Sequence, residues 1–314
     1  MQIVVCIFTS RMIPTDLKEQ RVLISVLNWG MGHVSRSIGL IHQLIAQNNT
    51  IIIACDVSQQ EIFKQYFNDI EYIEHKSYPF KFSGGGNFGW DLIRRFSPLY
   101  KCVNAEFTSV ENYVREYNID VVLSDHRYGF RSTKVPSIFM THQVNLPLKW
   151  YTVLAGLMHK KWLKQFDFIW VFDVEDNRLA GKLSAIGRLK NAHYIGWYSR
   201  FSTYLDEYEN IYPYALVVSG PLVYGQQLMD EVTKDWDMNK ELIVVCDDSI
   251  NVPTAFRKIS GDWKQQDQIL LQTQHVFSRS GYSTLMDIVQ LKCDATLIPT
   301  PGQAEQEYLA TISK

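Results

Sequence analysis

The sequence lacks an excess of either charge: 31 Lys and Arg stand against 33 Asp and Glu in 314 residues. A chain so balanced has none of the basic surplus that nonspecific binding to nucleic acid needs, and no nucleic-acid partner is expected. It lacks paired cysteines. Cys6, Cys55, Cys102, Cys246 and Cys293 are far apart, form no CxxC and mostly lie in or beside apolar runs, which reads as reduced, buried thiols of a cytoplasmic protein. It lacks long apolar runs as well. No stretch approaches the roughly 20 residues that cross a bilayer, and "IVVCIF" near the start is too short, with no basic residue before it, for an export signal. Internal repeats and low-complexity tracts are absent too.

What is present is strand-like runs alternating with helical patterns, in a chain long enough for two domains. "VLISVL" (22–27), "TIIIACD" (50–56), "IDVVLSD" (119–125), "PSIFM" (136–140) and "FDFIWVF" (166–172) are short, β-branched or aromatic and almost continuously apolar. Parallel strands covered on both faces read this way. Between them, "SIGLIHQLIAQ" and "AEFTSVENYVREY" space apolar residues by three and four, so the pattern is an open α/β sheet. A second series begins with "YALVVSG" near residue 214 and continues with "ELIVVC", "HVFS" and "ATLIP". Two Rossmann-like, parallel-sheet domains joined near 196–212 are expected, and the acid-rich stretch "FSTYLDEYENIY" (201–212) is expected to be a linker or exposed segment.

Chemistry concentrates at three strand-to-helix turns. The first is "NWGMGHVSRS" (28–37), where Gly30 and Gly32 let the backbone bend tightly and let a ligand approach the first amides of a helix beginning near His33. The same glycines would equally serve a bare turn capped by His33. The spacing Gly30, Gly32, Ser35 also resembles a dinucleotide fingerprint with serine for its third glycine, and Asp56 closes the next strand where a ribose-binding acid would sit. The second turn, in "FSRSGYSTLMDIV" (277–289), puts Ser280 and Gly281 before a helix carrying Asp287. Free amides there attract phosphate, and an acid further in can hold a ribose diol. The third, "IPTPGQAEQEYLA" (298–310), presents Gln303, Glu305, Gln306 and Glu307 at a helix start. Taken alone, that cluster also reads as a solvated helix end.

"GMGH", "SRSGYSTLMDI" and "PTPGQAEQEYLA", in this order, resemble the GT-B glycosyltransferases of the glycosyltransferase family 28 type. The chain is similar in these motifs to the peptidoglycan enzyme that adds N-acetylglucosamine to a lipid-linked muramyl peptide. The resemblance covers about residues 21–314. It implies two facing Rossmann-like domains: an acceptor-binding one over 21–200, preceded by an extension of residues 1–20, and a nucleotide-sugar-binding one over 201–314. Their implied activity is inverting transfer of a hexose or N-acetylhexosamine from a UDP-sugar to a glycan or lipid-linked hydroxyl.

Residue by residue, the resemblance places the acceptor-side loop, which includes Gly30, on Asn28 to His33, with Gly32 and His33 matching; His126 and His142, at neighbouring strand ends, are expected to line or orient the acceptor pocket. It places the donor at Gly220, Ser280, Gly281, Asp287, Gln306 and Glu307, with Arg200 of "YIGWYSR" meeting the donor phosphates, and Gln303 at the same helix start is expected beside them. Asn28, Trp29 and Met31 depart from the lipid-linked enzyme's loop, Asp287 stands for its glutamate, Pro221 for a serine, and Glu307 for the second member of a Gln-Gln pair. No metal or other cofactor is implied. Backbone amides and a basic side chain stabilise the leaving diphosphate, and an acceptor-side base takes the hydroxyl proton. His33 is the first candidate base, since imidazole titrates near neutral pH, and Asp125 in "LSDHRYG" the second.

Two stretches bear on the acceptor. "KFSGGGNFGWD" (81–91) reads as a mobile loop, and "LKWYTVLAGLMHKKWLKQF" (148–166) is aromatic and basic with no acid, suited to peripheral contact with the inner face of an anionic plasma membrane or simply to covering the sheet. The alternatives to sugar transfer are a dinucleotide-binding oxidoreductase or nucleotide sensor acting through Asp56, and a nucleotide-sugar hydrolase or epimerase on the same fold. The resemblance implies further helices beyond Lys314, so the second domain is expected to be incomplete, the two domains loosely braced, and residues 1–20 dispensable to the fold.

Overall fold

The computed structural model describes residues 11–28, 30–78, 96–147, 153–176, 179–204 and 206–313. Cys6, Trp29 and the glycine stretch 81–91 lie outside them, and the basic-aromatic segment is described from Val153.

The apolar runs form two sheets, each pairing in parallel throughout its described strands. The first contains β1 (Arg21–Val26), β2 (Thr50–Cys55), β3 (Glu71–Glu74), β4 (Val121–Asp125), β5 (Ser137–Thr141), β6 (Phe168–Val171) and β7 (Ala192–Tyr194), in the order β3-β2-β1-β4-β5-β6-β7. The second contains β8 (Tyr212–Val217), β9 (Ile243–Val245), β10 (Arg257–Ile259), β11 (Thr273–Arg279) and β12 (Asp294–Ile298), in the order β10-β9-β8-β11-β12. The strands not foreseen from sequence, β3, β7 and β10, all stand at sheet edges. An edge strand is covered less completely than a central one, so its sequence need not be continuously apolar.

Helices cover the sheets: α1 (Gly32–Ala46), α2 (Val57–Tyr66), α3 (Phe96–Glu116), α4 (Val153–Leu163), α5 (Leu222–Thr233), α6 (Trp263–Leu271), α7 (Tyr282–Leu291) and α8 (Ala304–Ile312). Alternation along β1 divides them. Val22 and Ile24 pack with Ile38 and Ile41 of α1, while Leu23 packs with Val110 and Val114 of α3 on the opposite face. None of the described helices is long and apolar enough to cross a membrane.

The two halves are not loosely braced, contrary to expectation. Tyr282, Leu285 and Met286 of α7 and Leu309 of α8 join Val34, Ile38 and Phe172 of the first half in one buried cluster. The crossing segment is only partly the exposed linker expected, because Arg200–Thr203 is a short 3-10 turn and Phe201 is 1% exposed, packed with Ala215 and Ile243 beneath the second sheet. Residues ahead of β1 are also attached. Leu17 is buried, Trp170 Nε1 donates to the Met12 carbonyl at 2.7 Å, and Asn49 Nδ2 donates to the Leu17 carbonyl at 2.9 Å. These contacts oppose the expectation that the fold does not need the whole of 1–20.

Strand order reverses between β1 and β4 in the first sheet and between β8 and β11 in the second. Open parallel sheets offer ligands a crevice outside the carboxyl ends of the strands at such a reversal. The motifs singled out above fall at these two places.

Candidate functional site

At the first reversal, Val26 of β1 pairs with Asp125, the last residue of β4, and Leu27 N donates to the Asp125 carbonyl at 3.0 Å. The chain then turns through Gly30, whose φ of 110° is the left-handed region that glycine tolerates, and enters α1 at Gly32. Helical spacing puts His33 and Arg36 on one side of the first turn, over the Asp125 carboxylate. His33 Nδ1 lies 3.1 Å from Asp125 Oδ1. Arg36 Nε donates to Asp125 Oδ2 at 2.7 Å, and Arg36 Nη2 donates to Oδ1. The same Nη2 lies 2.8 Å from His33 Nδ1, and Nη1 lies 3.0 Å from His142 Nδ1. The second ring nitrogen of His142 meets Glu305 Oε1 of α8 at 2.7 Å, and its ring stacks on Tyr282 with centroids 4.3 Å apart.

Exposure separates the roles these groups can take. Asp125 is wholly buried and Arg36 shows 1% of its side chain, whereas His33 shows 17% and alone of the three can meet a substrate. Burial by itself would raise the Asp125 pKa, but the Arg36 guanidinium and His33 outweigh it and hold the carboxyl well below the usual range. A buried anion gripped in this way orients its neighbour and is a poor proton acceptor, so of the two candidate bases the geometry favours His33. Burial pushes His33 below its ordinary value against the upward pull of Asp125, with Arg36 adding to the depression. His126, at a left-handed φ of 58°, sits beside it with ring centroids 5.3 Å apart, and its Nε2 is 2.8 Å from Thr141 Oγ1.

At the second reversal the two C-terminal turns are adjacent, as the sequence implied. Ser280 Oγ donates to the Gln306 carbonyl at 2.9 Å. Gln306 in turn accepts from Thr300 N at 2.8 Å, and Glu307 accepts from Gly302 N at 2.9 Å. Ser280, Gln306 and Glu307 therefore brace the turns, rather than standing free to meet a donor as expected. Gln303 is the N-cap residue of α8 without a side-chain cap bond, Gly281 caps α7, and Gly220 turns after β8 at a φ of 91°.

Arg200 and Asp287 are brought together, with a correction. Arg200 was expected to meet donor phosphates, yet its Nε lies 2.5 Å from Asp267 Oδ1 and its Nη1 lies 2.8 Å from Ser35 Oγ and 3.3 Å from Asp287 Oδ2. It is buried between two carboxylates. Asp287 is half-buried, with 13% of its side chain exposed, and accepts from Ser199 Oγ at 2.5 Å as well as from Ser35 Oγ at 3.2 Å; desolvation raises its pKa against the pull of Arg200. The first turns of α1 and α7 also touch, since Ser283 Oγ donates to the Gly32 carbonyl at 2.8 Å. The motifs of the first and second halves thus face one another across a single closed seam.

His142, expected to line an acceptor, instead spends both ring nitrogens on Arg36 and Glu305. Sequence reading missed Arg36, Glu305 and Asp267. Arg36 had a signal, standing three residues after His33 on the same helix face, and Glu305 stood in a quoted motif without a role. Asp267 had none, because only the fold brings α6 to Arg200. Among the described residues no His, Cys, Asp and Glu group is arranged to hold a metal ion. A cavity of about 120 Å³ lined by Tyr100, Phe107, Arg131 and Trp162 lies by α3 and α4, on the face of the first sheet away from α1.

No family model and no curated protein matches the chain. Solved structures do. The glycotransferase of kitacinnamycin superposes with a TM-score of 0.61 and 14% identity, over 94% of this chain and 84% of that one. Arabidopsis thaliana UGT89C1 gives 0.59 and 14% over 94% and 82%. The Streptomyces sp. SF2575 glycosyltransferase SsfS6, complexed with thymidine diphosphate, gives 0.58 and 13% over 93% and 85%. At these identities the likeness is one of fold. The chain has the GT-B fold, with two parallel-sheet α/β halves.

Proposed function

We propose that the chain transfers a sugar from a nucleoside-diphosphate donor to an acceptor hydroxyl. The observation that carries this is the partly exposed edge of His33, backed by buried Asp125 at one sheet's reversal and next in sequence to Gly32, whose carbonyl meets Ser283 in the first turn of α7. Residues 21–200 take the acceptor side in this reading and 201–314 the donor side, which suits a fold whose solved examples include a complex with thymidine diphosphate.

The chemistry is a direct displacement with inversion. The acceptor oxygen bonds to the anomeric carbon as the bond from that carbon to the diphosphate oxygen breaks, and the hydroxyl proton passes to His33. With the Nδ1 proton donated to Asp125, Nε2 carries the lone pair that receives it. The new imidazolium is balanced by Asp125. The departing diphosphate gains charge where the first amides of α7 point, an arrangement needing no metal. A diphosphate seated there requires the Gly32–Ser283 contact to part, so donor binding opens the seam.

Within this reading the donor is a UDP-sugar carrying a hexose or N-acetylhexosamine, and the acceptor a glycan or lipid-linked hydroxyl, approached from the cytoplasmic face of a membrane. The dinucleotide reading is weaker for a specific reason. Asp56 caps α2 by accepting from Gln59 N at 3.0 Å, and it also holds Ser58 at 2.7 Å, Asn28 at 3.2 Å and Ser77, so its oxygens are already spent. Protection against thermal unfolding by a panel of UDP-, TDP- and GDP-sugars, with NAD and NADP alongside, tests the proposal. Stabilisation by a nucleotide sugar or its diphosphate is expected, and stabilisation by NAD or NADP alone would overturn it.

A further inference from the structure

Resting on the reading of His33 as the base, we infer that Arg36 and His142 are positioning residues through which Glu305, on the donor side, sets the protonation of His33 on the acceptor side. The inventory of donors fixes the chain of contacts. A guanidinium has five N–H groups and no acceptor. In Arg36, Nε and one Nη2 hydrogen go to Asp125, the other Nη2 hydrogen points to His33 Nδ1 at 2.8 Å, and Nη1 donates to His142 Nδ1 at 3.0 Å. An arginine can only donate, so His142 Nδ1 is the acceptor and its proton sits on Nε2. That N–H donates to Glu305 Oε1 at 2.7 Å. The tautomer of His142 is thus assigned by its two neighbours, and the ring is held flat against Tyr282 with an interplanar angle of 2°.

The same logic reaches His33, whose Nδ1 has two competing partners. Asp125 Oδ1 at 3.1 Å calls for a proton on that nitrogen, and Arg36 Nη2 at 2.8 Å calls for a lone pair. While Arg36 holds the nitrogen, the ring proton stays on Nε2 and His33 is not a base. When Arg36 withdraws, Nδ1–H turns to Asp125 and Nε2 becomes the acceptor. Arg36 is anchored on Asp125 through Nε and Nη2, its Nη1 contact with His142 fixes the plane in which the second Nη2 hydrogen meets His33, and His142 is held in turn by Glu305, which packing of α8 against the first half delivers. The charged and titratable groups around His33 are Arg36 of its own helix, Asp125 of β4, His126 and His142 after β4 and β5, and Glu305 of α8.

The test is the His33 ring in the full chain, labelled with nitrogen-15 and followed by NMR between pH 5 and 8 in the parent and in H142L and H142Q. Glutamine can accept from Arg36 and donate to Glu305, whereas leucine can do neither, and both lack the imidazole ring. We expect Nε2–H in resting parent and in H142Q. In H142L we expect a shift toward Nδ1–H and a titration midpoint higher by at least about half a unit. Identical His33 behaviour in all three overturns the inference, as does H142Q behaving like H142L, which would mean that the two hydrogen bonds do not carry the effect. Should H142L fail to fold, E305A against E305Q makes the same comparison, with E305A releasing the Nε2 proton and E305Q retaining its acceptor. Failure of the base reading is separate: it would show as unchanged sugar transfer in H33A, with the ring measurements unaffected.

Discussion

Ser35 Oγ of α1 donates to Asp287 Oδ2 of α7 at 3.2 Å, joining the two sheets' motifs by one hydrogen bond. Arg200 completes the junction by reaching both partners. Asp287 therefore has two duties in the proposed account: bracing the closed seam and, once the seam opens, holding a ribose.

Replacing Asp287 with alanine should weaken binding of UDP or TDP by about tenfold or more and also lower stability by about 1–3 kcal/mol, since Ser35, Ser199 and part of Arg200 lose a partly buried partner. Calorimetric titration and denaturant unfolding measure the two effects separately. Nucleotide affinity equal to that of the parent would remove Asp287 from the donor site.

His33→Ala should depress turnover by about 10²-fold with little change in nucleotide affinity, because in the proposed account its ring meets the acceptor rather than the diphosphate. The sign of the pH dependence follows from burial. His33 is depressed below its ordinary 6.5, and the base must be neutral, so the acid limb of kcat/KM should lie below pH 6.5 and activity should fall as pH drops through it. A limb above that value would assign it to another group.

Deleting residues 1–20 should destabilise the chain, because Leu17 is buried and Met12 and Leu17 accept hydrogen bonds from Trp170 and Asn49. Leu17→Ala alone should cost about 2–4 kcal/mol. A truncated chain melting with the parent would restore the view of this segment as an appendage.

His159 provides a pH-sensitive element away from the seam. It is 2% exposed, with Nδ1 2.7 Å from Tyr128 OH and Nε2 2.9 Å from the Gln143 carbonyl, and burial lowers its pKa to about 4. The unfolded chain takes up this proton near 6.5 and the folded one only near 4. Stability from His159 is thus fully present above pH 6.5 and is lost as pH falls toward 4, up to about 3 kcal/mol. Melting temperatures at pH 7 and pH 5 should fall accordingly in the parent and less steeply in His159→Leu, compared each with its own value at pH 7.

The central strands and both C-terminal turns were legible in sequence because continuous apolarity and glycine-serine turns have direct structural causes. β3, with glutamates at both ends, was not, since an edge strand tolerates them. At the site, His33, Asp125 and the adjacency of the two C-terminal turns could be read from motifs at strand ends. The commitment of Arg200 to Asp267 and of His142 to Glu305 could not, because these pairs form only when separate sheets pack, and no local spacing encodes that distance. The same packing explains why the two halves share a core where a loose hinge was expected.

Sugar transfer itself is measured most directly by incubating the chain with a nucleotide sugar that protects it from unfolding and a panel of hydroxyl acceptors, then weighing the products. The account predicts an acceptor heavier by one glycosyl unit, an equal amount of released nucleoside diphosphate, and loss of both in His33→Ala. Nucleoside diphosphate released at the same rate with or without acceptor, and no acceptor gaining mass, would contradict it and leave hydrolysis as the activity of this fold.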